Sequence, residues 1–225
     1  MLLLLALNLA LTPPPVTAPA PPATCTLEGK LTVVDARGAP VPLEFAQVFL
    51  SEPERPFGEL LRPSDEVQEI GQTTELFKRA FAPKFLVVQR DEVVRVTNSS
   101  SELHEVHCYS QFNVFDSDLT NKPTTWLQPF AELGTSLLQC HKHETMRAFV
   151  LTVPNRFHVA PSADGAFTLP GLPARTVEIT LWQGSEKHRL QFSFARVRVD
   201  PCQRLEHTLV LGKELDFVPP YGRPQ

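Results

Sequence analysis

Apolar and polar residues alternate with a period of two along most of the chain. Val94 and Val96 alternate with Arg95 and Thr97, Val177, Ile179 and Leu181 alternate with Glu178 and Thr180, and Leu205, Leu209 and Leu211 keep the same step. Successive side chains of a strand point to opposite faces, so this spacing predicts strands with one buried face. The segments Asp35–Pro40, Asp164-Gly165 and Leu169–Pro173 separate such runs and carry the Gly, Pro and Asp that turns require. No amphipathic run of helical period persists beyond about a dozen residues. The best candidate, Ser64–Phe77, is polar and reads as a loop with a short helix. The expected fold class is all-β.

Two units are expected, a first sandwich over residues 26–153 and a smaller one over 154–213, divided at the Val153-Pro154-Asn155 break. The segment 214–225, rich in proline towards its end, should be irregular. Residues 1–24 combine an apolar run, Leu2–Leu11, with the proline-rich stretch Pro13–Pro22. The run has the length of a signal-peptide hydrophobic region and falls short of the ~20 residues a spanning helix needs. Although no Lys or Arg precedes it, the expectation is export to the periplasm or an equivalent compartment of the cell envelope. The prolines favour an extended spacer.

At 225 residues, with 42% hydrophobic and 20% charged residues, the chain is long enough for one large or two small cores. It carries 21 basic and 25 acidic side chains, net −4, without a long basic run, which argues against nucleic acid or an anionic membrane as partner. Four cysteines change the picture: Cys25, Cys108, Cys140 and Cys202. In an oxidising compartment Cys25 and Cys202, which flank the folded region outside any motif, are the expected disulfide. Two free thiols, or a Cys25–Cys108 pair, are the other readings.

The chemistry concentrates in Gln139–Met146, where Cys140, His143 and Met146 lie close together, and in His104 upstream. Two imidazoles, a thiolate and a thioether form the ligand set of a blue-copper centre, with the thioether weak and axial. In a strand His104, Val106 and Cys108 share one face while Glu105 and His107 share the other. Turning His104 inward buries Val106 and Cys108, whereas the opposite choice buries Glu105, so His107 is expected at the surface or buttressing the ligands. Leu138 and Cys140 share a parity at the end of the next strand. Cys140–Met146 then reads as a short loop, and Arg147–Val153 as a strand with Ala148, Val150 and Thr152 on one side and Phe149, Leu151 and Val153 on the other.

Asn98 either bonds across to the Cys140 loop and orients the ligands or simply forms a turn beside Ser99 and Ser100. Zinc is the competing metal, with Cys140, His141 and His143 as donors, but the soft thioether of Met146 favours copper. A Cys-His hydrolase would need an orienting Asn or Asp and an oxyanion pocket that the sequence does not announce. Without a metal, His141 and His143 would be exposed polar groups, Cys140 a buried thiol and Met146 core. His158, His188 and His207 belong to no motif.

The ordered segments Phe81–Phe85, Asp91–Asn98, His104–His107 and Cys140–Val153 together resemble the cupredoxin family, most closely its amicyanin-like and plastocyanin-like members. The resemblance implies a Greek-key β-sandwich holding one type 1 copper ion, with His104, Cys140, His143 and Met146 as ligands and His107 not one of them. It implies a monomeric one-electron carrier that serves redox partner proteins, is not an enzyme and has no substrate. Leu103, Glu105 and Glu144 depart from the family pattern beside the ligands. Ser162–Trp182, with its turn-Gly-Phe, Leu-Pro and strand-Trp pattern, resembles the carboxypeptidase regulatory-like (transthyretin-like) β-sandwich, which implies a structural or binding unit. Alternative functions are a copper-binding delivery module and a cell-envelope interaction protein with a vestigial copper site.

Overall fold

A computed structural model describes residues 23–51, 68–72, 80–99, 102–108, 113–117, 124–185 and 191–210. The apolar leader, the proline-rich stretch up to Pro22 and the 214–225 segment lie outside them. Among the described residues there are strands and no helix. The fold is all-β.

In chain order the strands are β1 (Thr24–Val34), β2 (Phe45–Leu50), β3 (Gln68–Gln72), β4 (Phe81–Ala82), β5 (Phe85–Gln89), β6 (Val93–Asn98), β7 (Val106–Cys108) and β8 (Phe115–Asp116). They continue as β9 (Thr124–Pro129), β10 (Gly134–Cys140), β11 (His143–Val153), β12 (His158–Val159), β13 (Ala166–Pro173), β14 (Val177–Ser185), β15 (Gln191–Val199) and β16 (Leu205–Val210). Four sheets result, with orders β5-β11-β10-β7-β8, β4-β3-β6-β9, β13-β1-β16 and β12-β2-β14-β15. The first two enclose a core that includes Ile70, Phe81, Val94, Val96, Val106, Leu138, Cys140, Met146 and Val150. The last two enclose an aliphatic core built on Leu27, Leu31, Val48, Leu50, Leu169, Ile179, Leu181 and Leu209.

The alternation predicts the buried face correctly at Val94 and Val96, and at Val177, Ile179 and Leu181. It does not predict the partners. β1 pairs antiparallel with β13 and parallel with β16, and β2 pairs with β12 and β14, so residues 24–50 belong to the second sandwich rather than the first. Just after β11, the Asn155 amide nitrogen donates to the Leu50 carbonyl and its oxygen accepts from the Phe157 amide, which ties this segment to β2. What the 26–153 division missed is that a strand's period says nothing of the sequence distance to its neighbour.

Two local expectations also need correction. Residues 68–72 of the supposed loop-and-helix segment form β3, which puts Ile70 fully into the first core; the rest of Ser64–Phe77 lies outside the described residues. Leu169–Pro173 is not a turn but the second half of β13, where the pairing with β1 shifts between Cys25 and Leu27. Gly171 takes a positive φ of 74° there, and the bulge lets Leu169 and Leu172, three positions apart, both reach the core. The chain turns after Pro173 instead. At Asp164-Gly165 the turn is as expected: Gly165 has φ 87°, its carbonyl accepts from the Leu31 amide, and a Cβ would collide with the Leu31 carbonyl oxygen.

The sandwiches meet over an aromatic seam. Trp182 stacks on Phe85 with ring centroids 5.3 Å apart, and Phe85 stacks on Phe45 at 5.3 Å. Leu151, Val153 and Phe49 complete the contact. This explains why β11 and β2 are buried on both faces despite the half-buried strands the alternation implies. Near the far end of the second sandwich the Cys202 amide donates to the Cys25 sulfur at 3.2 Å, so the two cysteines expected to pair are neighbours.

Candidate metal centre

β7, β10 and β11 lie side by side in one sheet, and their ends supply the site. Cys140 closes β10 opposite Val106, and His104 sits just before β7. A turn of only two residues, His141-Lys142, then leads into β11, which begins at His143. The expected Cys140–Met146 loop is therefore mostly strand. The register makes this work: Gln139 faces Arg147 while Cys140 faces His143, so β11 absorbs Glu144, Thr145 and Met146 as a bulge. The bulge leaves Glu144 and Thr145 exposed and turns Met146 fully inward, into the same cluster as Cys140.

Three donors converge. The Cys140 sulfur lies 3.6 Å from Nδ1 of His104 and 3.6 Å from Nδ1 of His143, and the two Nδ1 atoms are 3.3 Å apart. For a metal bonded at about 2.0–2.1 Å to nitrogen and about 2.3 Å to sulfur, angles of roughly 110–120° give N···S separations of roughly 3.5–3.8 Å and N···N of roughly 3.3–3.6 Å. All three sides of the triangle fall in those ranges. The donor set and its spacing thus fit a metal ion of the copper or zinc class. His104 and Cys140 are nearly inaccessible, at 2% and 3% exposure, and the centre is closed on the side of the core. His143 is the ring that reaches outward, its Nε2 lying 3.8 Å from the Glu102 carboxylate. No pattern in the sequence singled out Glu102.

The parity argument holds for His104, which points inward with Val106 and Cys108. His107 does take the other face, but it is not at the surface. It is 5% exposed and stacks on His141, with ring centroids 3.8 Å apart and planes 26° from parallel. Burial first, and the His141 charge second, push the His107 imidazole below its usual range, against the opposing pull of Asp116, Glu105 and a Gln139 hydrogen bond. Asn98, the last residue of β6, is 1% exposed and pairs in register with Thr124, so it is no exposed turn former. Of the histidines outside the motif, His158 contacts Gln47 through Nδ1 at 2.8 Å in the second sandwich, and His207 lies on β16. His188 lies outside the described residues.

No protein-family model and no curated protein matches the chain. Among solved structures it is similar to a purple cupredoxin from Nitrosopumilus maritimus, at 18% identity and TM-score 0.34, over 38% of this chain and 98% of that one. It is also similar to a proline-to-glycine mutant of amicyanin in its reduced Cu(I) form at pH 4, at 18% identity and TM-score 0.34, over 47% of this chain and 97% of that one. A proline-to-alanine mutant of amicyanin in the oxidized state gives 21% identity and TM-score 0.34, over 40% and 84%.

Proposed function

We propose that the first sandwich is a type 1 copper domain that carries single electrons and catalyses no reaction of its own. The observation that carries this reading is the triangle of buried His104, buried Cys140 and partly exposed His143, with Met146 turned into the same core. Copper, when bound, would supply the Cu(II)/Cu(I) couple. His104 and Cys140 would hold it from rigid, hydrogen-bonded strand ends, which limits rearrangement between oxidation states. Met146 supports copper over zinc, since a thioether is a soft donor. His143, alone among the donors in reaching the surface, would present the ring edge where a redox partner protein docks. The second sandwich would serve as a platform that clamps β5 and β11 through the Trp182 seam.

Three expectations accompany this reading: a monomer, export to the cell envelope, and a Cys25–Cys202 disulfide. The neighbouring positions of the two cysteines support the last. Thiol titration of the unfolded, non-reduced protein should find Cys25 and Cys202 unreactive, and reaction of both would remove the disulfide.

Adding Cu(II) to the full chain should produce an intense thiolate-to-copper absorption band in the visible, absent in Cys140→Ser. A colourless Cu(II) adduct of the wild-type chain defeats the proposal. An intense band combined with ready loss of Cu(I) to a competing chelator would replace electron transfer with copper delivery.

A further inference from the structure

The parity that turns His104 and Cys140 inward turns their chain neighbours outward, and those neighbours also converge. Glu105 follows His104, and His141 follows Cys140. On the outer face of the β10-β7-β8 sheet, His107 lies opposite Asp116 of β8 and opposite Gln139 of β10. One donor atom from each of Glu105, Asp116 and His141 lies within 4.8 Å of the others.

We propose that Glu105, Asp116 and His141 form a second site, for a divalent cation, back to back with the sulfur-containing triangle. Two carboxylates and an imidazole are a nitrogen-oxygen set, suited to Zn(II), Mn(II) or Cu(II) and unsuited to Cu(I), which prefers soft donors. The set contributes two carboxylates, so a dication is compensated while a monovalent ion leaves excess charge. Four features distinguish it from a chance gathering of acids. The donors come from three separate stretches of chain. His141 Nδ1 already faces the Glu105 carboxylate at 3.2 Å. The His141 amide donates to the Glu105 carbonyl at 3.1 Å, which fixes the turn against the segment before β7. The His141 ring plane is set by the buried His107 stacked on it. His107 is here a positioning residue, and the three ligands leave the remaining coordination positions to water. Because His141 lies in the two-residue turn between Cys140 and His143, a cation held there would also clamp the turn that spaces those two donors.

The site does not depend on which metal the inner triangle takes, and its test separates the two. Equilibrium dialysis of the full chain against Zn(II) should find two equivalents bound, one for each donor set. Cys140→Ser should keep the outer equivalent. His141→Ala and Asp116→Asn, both at exposed positions and checked for folding by circular dichroism, should each weaken it at least about tenfold, a loss as large as removing a mere supporting group to a ligand produces. His107→Phe, which preserves the stacked plate, should leave it bound. Unchanged retention of the second equivalent in either His141→Ala or Asp116→Asn, or its absence from the wild-type chain, overturns the proposal. A failure of Cys140→Ser to remove the inner equivalent would count against the triangle alone.

Discussion

The two sandwiches share an architecture and differ in how their cores end. The second has a core of hydrocarbon side chains, from Leu27 and Val48 to Ile179 and Leu209, with Cys25 packed half-buried against it. The first is hydrocarbon over most of its length, but at one end its buried residues are Cys140, Met146 and His104. The same period-two pattern builds both. Function enters where strands stop, because there the backbone hydrogen bonds give way and a polar donor can be buried against a partner other than the sheet. The comparison also shows which part positions the other: β5 and β11, whose inner faces serve the site core, rest their outer faces on the second sandwich.

Trp182→Ala should break that arrangement most severely. Removing a buried aromatic costs about 3–5 kcal/mol, and here it also takes away the stacking on Phe85. Calorimetry should then resolve two transitions where the wild type shows one; a single transition lowered as a unit would mean that the seam does not couple the sandwiches. A sharper separation comes from Ile179→Ala, fully buried in the second core. Urea unfolding should show a loss of about 2–5 kcal/mol, while the copper absorption band keeps its position. A displaced band would show that the second core reaches the site through packing.

Met146→Leu tests the first core at its donor end. The swap nearly conserves volume, so stability should change by less than about 1.5 kcal/mol. The visible spectrum of the Cu(II) form should shift all the same, whereas an unaltered spectrum would reduce Met146 to filler. The smallest effect is expected from pH. Burial holds the His158 imidazole below its ordinary range, so the unfolded chain takes up its proton at higher pH than the folded one. Stability is then fully present above the unfolded value of about 6.5 and declines as pH falls through it. Thermal unfolding temperatures should drop between neutral and mildly acidic pH, less steeply in His158→Gln; equal slopes would refute this role for His158.

The convergence of His104, Cys140 and His143 was largely legible in the sequence. Residue types and short spacing nominated Cys140, His143 and Met146, and burial parity selected His104 over His107. The outward cluster obeys the same rule read in the opposite sense, yet the sequence does not place Asp116 in it, since nothing in Phe115-Asp116 announces that it pairs with His107. The Met146 bulge was hidden for a similar reason: a bulge is defined by what lies across the ladder, and a single strand does not contain that information.

By itself the sequence determined the all-β class, the inward faces of strands such as β6 and β14, and which side chains carry soft donor atoms, because these follow from local alternation and from the chemistry of single side chains. Tertiary structure alone decided that β1 and β2 cross to the C-terminal strands, that the outer face of β14 is an interface rather than a wetted surface, and that His107 is buried beneath His141. Those outcomes rest on pairing between segments far apart in the chain, where many registers satisfy the same local pattern and only the simultaneous packing of all four sheets selects one.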